Sequence, residues 1–265
     1  MTNHSIHPVI TRLRSNPGMR PLVASHRGNS RHFPENTLAA FRSAARLGVS
    51  IQEFDVRELA CGELVCIHDE TFDRTTNASR LLGPGTLVAK TDLATARTLD
   101  AGTWHPKGIE GEQIATLAEA LDVMLPNCIP MIEHKAGSAN RYVDFLRANR
   151  FADQVILQSF DWEFLTQVHQ LAPEIAIGAL GPQQLFATPT TSAIKQMTSF
   201  GAAIVHWRAR DLTETDIDHS QAAGLLVCSY TTDDALGWLR GKAMGIDAMC
   251  TNDPAAMHAA LQASS

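Results

Sequence analysis

Short apolar runs alternate with segments of helical spacing from residue 21 onwards, and this alternation limits the fold more than any other feature of the chain. The runs that predict strands lie at residues 22–25, 51–56, 64–67, 129–132, 155–158, 175–178, 202–205, 225–229 and 246–251. Most of them lack alternating polar residues, which is typical of parallel strands covered on both faces. Between the first two runs, Leu38, Phe41 and Ala45 recur at helical spacing. Gly48 ends this predicted helix, and Pro34 suits its first turn.

The repeated order of strand and helix predicts a parallel sheet with right-handed crossovers. About eight such units in 265 residues favour closure into an α/β fold of the TIM (β/α)8 barrel type over an open, doubly wound sheet. No GxGxxG sequence follows a predicted strand, which disfavours a dinucleotide-binding fold. We therefore predict an N-terminal extension at residues 1–20 and one barrel domain at residues 21–265.

One segment interrupts the alternation, at about residues 70–115. It is rich in Arg, Thr, Gly and Pro and has weak helix signals, so we expect a small insertion after the second barrel strand. Trp104 and the apolar pairs at 81–82 and 87–88 are expected to hold this insertion together. Two interpretations stay open: a cap over the mouth of an active site, or a subdomain with another use, such as a contact between subunits.

Charge and composition exclude several classes of partner. The net charge is −6 and Lys and Arg are scattered among the acidic residues, so we expect no nucleic acid partner. The first twenty residues lack the apolar core of a signal peptide, and no run is long enough for a membrane span. The five cysteines lack close pairing and are interpreted as buried free thiols in a reducing compartment. We expect a cytoplasmic protein, and a homo-oligomer stays open.

Acidic side chains come at the ends of predicted strands. Residues two apart on a strand share a face, so Glu53 and Asp55 point the same way, and Glu133 and Lys135 share a face on a later strand. In a barrel these strand ends meet at the C-terminal mouth. Three carboxylates there repel one another unless a cation is bound. Oxygen ligands favour a hard ion over zinc, so Glu53, Asp55 and Glu133 predict one divalent metal ion, Mg²⁺ or Ca²⁺.

Two histidines, His26 and His68, each close an apolar run. A single histidine of this kind is more often structural, but two beside a carboxylate cluster favour a general acid and base pair. Arg27 and Lys135 add positive charge suited to binding phosphate, although Arg27 could instead form an ion pair with a neighbouring acid. Together these residues indicate phosphate ester chemistry. The other histidines have no ligand spacing and are interpreted as surface or structural residues.

A series of short motifs follows in an order that resembles the glycerophosphodiester phosphodiesterase family, from about residue 21 to residue 258. The motifs are His26-Arg27-Gly28, Pro34-Glu35-Asn36-Thr37, Glu53-Phe54-Asp55, His68-Asp69, Asp73-Arg74-Thr75, Leu99-Asp100-Ala101-Gly102, Glu133-His134-Lys135, Gln158-Ser159-Phe160, Gly245-Ile246-Asp247 and Asn252-Asp253-Pro254. The resemblance implies a TIM barrel with a small insertion after its second strand. It also implies hydrolysis of a small-molecule glycerophosphodiester to glycerol 3-phosphate and an alcohol.

The resemblance also implies roles for the residues already singled out. It assigns metal binding to Glu53, Asp55 and Glu133, general acid and base catalysis to His26 and His68, and phosphate binding to Arg27 and Lys135. Which histidine acts first stays open. One departure from the family concerns Tyr230, which stands where a tryptophan is common and could alter which head group fits.

Two other functions remain as alternatives. A phospholipase D-like enzyme on the same barrel would act on lysophospholipid or sphingomyelin, but such relatives generally lack the Pro-Glu-Asn-Thr segment and the large insertion. A catalytically silent barrel would bind a phosphorylated metabolite without turnover. The sequence leaves open the head group of the substrate, the physiological metal, the role of the insertion and the oligomeric state.

Overall fold

The computed structural model describes residues 7–16 and 20–264. Its strands are β1 (Leu22–His26), β2 (Ile51–Glu58), β3 (Leu64–Cys66), β4 (Ile129–His134), β5 (Ile156–Ser159), β6 (Ala176–Gly181), β7 (Ile204–Arg208), β8 (Leu226–Tyr230) and β9 (Ala248–Thr251). Its α-helices are α1 (Pro8–Arg14), α2 (Leu38–Arg46), α3 (Ala78–Leu81), α4 (Leu93–Ala96), α5 (Leu117–Met124), α6 (Ala139–Ala148), α7 (Trp162–Leu171), α8 (Thr191–Ser199), α9 (Glu214–Ala222), α10 (Ala235–Ala243) and α11 (Pro254–Ala263). Every predicted strand is present, with ends shifted by at most three residues.

Eight of these strands form the parallel framework that the sequence predicts. β1, β2 and β4 pair in parallel, as do the successive strands β5 to β9, and helices lie between them along the chain. β3 is the exception, because it runs antiparallel to β2 and forms a hairpin with it. The fold is a (β/α)8 barrel, which confirms the predicted fold class.

The chain divides into two compact units, which are described separately. The first unit consists of Ala24–Gly137 and Thr251–Ala256, and the second of Ser138–Cys250 with the described residues of Met1–Val23 and Met257–Ser265. Of the N-terminal extension predicted at residues 1–20, residues 7–16 contain α1, whose apolar side chains are buried. Residues 1–6 and 17–19 lie outside the described residues.

In the first unit, the helix that follows β1 starts later than the sequence indicates. Thr37 is the N-cap of α2, since its hydroxyl accepts a hydrogen bond from the Ala40 amide, and Pro34 precedes the helix. A threonine cap satisfies a backbone amide that the first turn leaves without a partner, which Pro34 cannot do. The apolar face of α2 covers the sheet through Phe41, whose ring meets Phe54 of β2 edge-on at 5.4 Å.

The insertion predicted at about residues 70–115 has its own small core in the first unit. Phe72, Val88 and Leu99 are buried in it together with Val65 of β3. Of the two apolar pairs expected to hold it together, both leucines of the pair at 81–82 are exposed, and in the pair at 87–88 only Val88 is buried. Because α3 has only four residues, the spacing of its apolar residues does not show which of them face the core and which face solvent.

In the second unit, strands β5 to β9 are parallel neighbours in consistent register, with His206 of β7 opposite Cys228 of β8. The helices around them begin at polar caps: Asp161 caps α7, Thr213 caps α9 and Asp234 caps α10. These caps set where each helix starts and so how much chain is left to connect it to the preceding strand. Among the helices of residues 7–16 and 20–264, none has the length and apolar character needed to cross a membrane.

Candidate active site

The turn that follows β1 has a backbone conformation that only certain residues adopt easily. Arg27 and Gly28 both have positive φ, 58° and 79°. A Cβ added to Gly28 would lie 2.8 Å from the backbone of Ala40 in α2, so glycine is required both by its φ and by the close approach of the helix. The Arg27 amide donates a hydrogen bond to the Glu53 carbonyl at 2.8 Å. This turn positions His26 and Arg27 beside β2.

The carboxylates that the sequence singled out do lie together. Strand register sets Asp55 of β2 opposite Glu133 of β4, and His26 of β1 opposite Glu53 of β2. One carboxylate oxygen from each of Glu53, Asp55 and Glu133 lies within 4.8 Å of the others, and all three side chains are buried. The shared face predicted from residue spacing is therefore real, and neighbouring strands complete the cluster.

Two cations from the predicted set pair with these carboxylates. Lys135 Nζ lies 2.5 Å from Glu133 Oε1 and 3.4 Å from Asp55 Oδ1, and Arg27 Nε lies 3.0 Å from Asp55 Oδ2. Burial alone would raise the pKa of Asp55, but the positive charges of Arg27 and Lys135 outweigh it and hold the pKa below its usual value. Asp55 is therefore ionised at neutral pH. The ion pair that the sequence left open for Arg27 is present.

A second set of charges surrounds the cluster. Glu35 accepts hydrogen bonds from Arg27 at 2.8 Å and from two nitrogens of Arg74 at 2.8 and 2.9 Å. Arg74 also donates to both oxygens of Asp69 and thereby lowers the pKa of Asp69 to about 2. Because Arg74 belongs to the insertion, the insertion contributes a side chain directly to this site.

The charges of the whole set indicate what else it can bind. Its acidic members are Glu35, Glu53, Asp55, Asp69 and Glu133, and its basic members are Arg27, Arg74 and Lys135. With neutral histidines, five carboxylates against three cations leave two negative charges. A divalent cation would balance them, and the buried oxygen ligands suit a hard ion such as Mg²⁺ or Ca²⁺. The residues present therefore fit the metal that the sequence predicts.

Both predicted histidines have one ring nitrogen held by an oxygen acceptor. His26 Nδ1 lies 2.7 Å from Asn252 Oδ1, and His68 Nδ1 lies 2.6 Å from Asp69 Oδ1. His26 Nε2 lies 3.9 Å from Glu53 Oε2. Burial, then the charge of Arg27, lowers the pKa of His26 to about 4. Burial also lowers the pKa of His68, although nearby carboxylates oppose the shift. In each ring Nδ1 is held by its acceptor, which leaves Nε2 as the atom for proton transfer.

All seven predicted site residues belong to the first unit, and contacts or charge interactions connect them. Sequence reasoning missed the residues that hold them, which are Glu35, Asn36, Asp69, Arg74 and Asn252. The Asn36 side chain donates to Asp55 Oδ2 at 2.9 Å and accepts from the Asp55 amide at 3.2 Å. The available signal for Glu35 and Asn36 was the Pro-Glu-Asn-Thr motif, which the sequence analysis used to place a helix and to recognise the family but to which it gave no role in the site.

The fold and the site together define a class of protein. A buried carboxylate cluster, two cations and His26 lie on or just after β1, β2 and β4, and His68 follows β3; on a (β/α)8 barrel this set of groups is suited to phosphate ester cleavage. This class is that of the phosphoric diester hydrolases. The profile of the glycerophosphoryl diester phosphodiesterase family matches residues 26–256, and the chain belongs to this family.

Individual relatives agree with this assignment. A glycerophosphodiester phosphodiesterase from Caldanaerobacter subterraneus subsp. tengcongensis is 32% identical over 243 residues, covering 89% of this chain and 96% of the relative. One from Bacillus subtilis is 29% identical over 259 residues, covering 90% of this chain and 86% of the relative. The solved structure of an Oleispira antarctica phosphodiesterase in complex with its product sn-glycerol-3-phosphate has a TM-score of 0.82 and 28% identity, and the match covers 91% of this chain and 97% of that one.

Proposed function

We propose that this protein hydrolyses glycerophosphodiesters to glycerol 3-phosphate and an alcohol. The observation that carries the proposal is the pair of histidines, each with Nδ1 held by an oxygen acceptor, beside a buried carboxylate cluster. Membership of the family supports the reaction class. The product complex of the Oleispira antarctica relative supports the glycerol 3-phosphate half of the substrate.

Glu53, Asp55 and Glu133 would hold one divalent ion, Mg²⁺ or Ca²⁺. When bound, the ion would lower the pKa of the glycerol hydroxyl next to the ester and offset the charge of the phosphate. With the carboxylate charges neutralised by the ion, Lys135 and Arg27 would be able to interact with the phosphate of the substrate as well as with the carboxylates. Arg27 directs Nε toward Asp55 and Nη1 toward Glu35.

The partners of the two histidines differ, and this difference suggests their roles. His26 is held by a neutral amide, so its Nε2 is suited to take the proton of the attacking glycerol hydroxyl. His68 is held by the carboxylate of Asp69, which stabilises a protonated ring, so His68 is suited to protonate the departing alcohol. The cyclic phosphate formed in this step is then opened by water, with the two histidines in exchanged roles.

A chelation experiment tests the metal assignment. After exhaustive treatment with a chelator, release of glycerol 3-phosphate from glycerophosphocholine should fall to background, and separate titrations with Mg²⁺ and Ca²⁺ should restore it. Parallel assays on lysophosphatidylcholine and sphingomyelin distinguish a lipid substrate from a deacylated one. Activity that survives chelation would exclude the metal role of the carboxylate cluster.

A change of leaving group tests the histidine roles. On glycerophosphocholine, His26→Ala and His68→Ala should each reduce kcat by about 10²–10⁴-fold. In a glycerophosphodiester of p-nitrophenol, the leaving group departs without being protonated. On this substrate the first step, measured as release of p-nitrophenol, should be nearly as fast in His68→Ala as in the wild-type protein, whereas it should stay slow in His26→Ala. Recovery by His26→Ala alone would reverse the assignment, and full activity of either variant would refute the pairing.

A further inference from the structure

Three neighbouring strands of the second unit bring a histidine and two cysteines together. His206 of β7 and Cys228 of β8 are opposite each other in register, and Cys250 of β9 lies two residues beyond Ala248, the partner of Cys228. Residues two apart on a strand share a face, so all three side chains point the same way. A ring nitrogen and the two sulfurs lie within 4.8 Å of one another, and each residue is at most 2% exposed.

The histidine of this cluster is oriented as a ligand. His206 Nδ1 lies 2.7 Å from Gln158 Oε1, which can only accept, so Nδ1 carries the hydrogen and Nε2 carries the lone pair. Nε2 is buried and has no nitrogen or oxygen partner among the described residues, and the Cys250 thiol is the side chain of the cluster with which His206 interacts. Histidines that bind metals have this arrangement, because an acceptor on the far nitrogen fixes the ring and makes the other nitrogen a better donor.

We propose that His206, Cys228 and Cys250 form a second metal site, which binds Zn²⁺. Two thiolates and an imidazole are soft ligands and differ in kind from the oxygen ligands of the carboxylate cluster. Zn–S bonds of about 2.3 Å and Zn–N bonds of about 2.0 Å place tetrahedral ligand atoms roughly 3.5–3.8 Å apart. Separations of up to 4.8 Å therefore close by about 1 Å through rotation of the cysteine side chains.

Charge balance selects a divalent ion for this buried position. On binding, each thiol gives up its proton to solvent, and two thiolates with Zn²⁺ make a neutral group. A monovalent copper ion would leave one negative charge in apolar surroundings, which is unfavourable. The set supplies three protein ligands, so one position of a tetrahedral ion is left for an additional ligand.

Cobalt spectroscopy on the full, reduced chain tests the site. The protein is freed of metal with a chelator and kept in excess Mg²⁺, which saturates the carboxylate cluster, and is then titrated with Co²⁺. Thiolate ligands give a near-ultraviolet charge-transfer band that oxygen ligands do not, and the band should saturate at about one Co²⁺ per chain and disappear on addition of Zn²⁺. Absence of the band in the wild-type protein would overturn the proposal.

Variants assign the band to these residues. Cys250→Ser and His206→Gln should lose it or weaken Co²⁺ binding by at least tenfold, whereas Cys128→Ser, which alters a buried thiol outside the cluster, should retain it. A band of full strength in Cys250→Ser would refute the assignment. Should the variants fail to fold, wild-type protein in weak buffer should release about two protons per Zn²⁺ bound, and release of none would equally refute it.

Discussion

Asn36 offers the sharpest test of how the site is held, because it contacts a predicted metal ligand twice. Its side chain donates to the Asp55 carboxylate at 2.9 Å and accepts from the Asp55 amide at 3.2 Å, and both residues are buried. Asn36 also has a left-handed backbone, with φ of 57°, which asparagine tolerates better than alanine does. Asn36→Ala therefore affects both the stability of the protein and the position of Asp55.

The size of the effect follows from these contacts. Loss of a hydrogen bond to a buried carboxylate costs about 1.5–3 kcal/mol, and a buried amide left without its acceptor costs about 1–3 kcal/mol. Alanine in a left-handed backbone adds about 1 kcal/mol. Because these contributions share one residue and are not additive, we expect the free energy of unfolding of Asn36→Ala to fall by about 3–5 kcal/mol.

Urea unfolding and Mg²⁺ titration of activity measure the two effects. The Mg²⁺ concentration for half-maximal activity should rise by about 10–100-fold, as for other residues that hold a metal ligand. Asn36→Gly keeps the left-handed backbone and should be about 1 kcal/mol more stable than Asn36→Ala. Asn127→Ala, at an exposed asparagine, should change stability by no more than about 0.5 kcal/mol. A loss below about 1 kcal/mol in Asn36→Ala with unchanged Mg²⁺ dependence would refute this reasoning.

Two further substitutions test the turn and the charge network. Gly28→Ala should lower the free energy of unfolding, measured with urea, by about 2–4 kcal/mol, because the new Cβ would lie 2.8 Å from the backbone of Ala40. Gly48→Ala, which has open space around the new Cβ, should lower it by only about 1 kcal/mol. Equal losses in the two variants would contradict the steric argument. Arg74→Ala should lower kcat by about tenfold without unfolding the protein, and an unchanged kcat would remove Arg74 from the site. Arg74 lowers the pKa of Asp69 to about 2. The ion pair between Arg74 and ionised Asp69 therefore stabilises the folded protein above about pH 4, and this contribution is lost as Asp69 is protonated toward pH 2. The stability difference between wild type and Arg74→Ala should therefore narrow below about pH 4, and a constant difference down to pH 3 would contradict it.

Much of the architecture could be predicted because its signals are local. A buried parallel strand is a short apolar run, so all nine strands appear in the sequence within three residues of their ends. Helix starts were harder, since α2 begins at the Thr37 cap and not at Pro34. In the insertion, exposed leucines misled the prediction because its helices are only one turn long.

The sequence by itself determined which carboxylates share a face, since Glu53 and Asp55 are two residues apart on one strand and that relation survives any packing. Only the tertiary structure decided which groups meet across strands. His26 forms a hydrogen bond with Asn252, 226 positions away in the sequence. His206 lies beside two cysteines, although the spacing of the three residues along the chain gives no sign that they are neighbours. The physical reason is that a side-chain partner depends on which strands are neighbours and in what register, and neither is encoded within a single short segment.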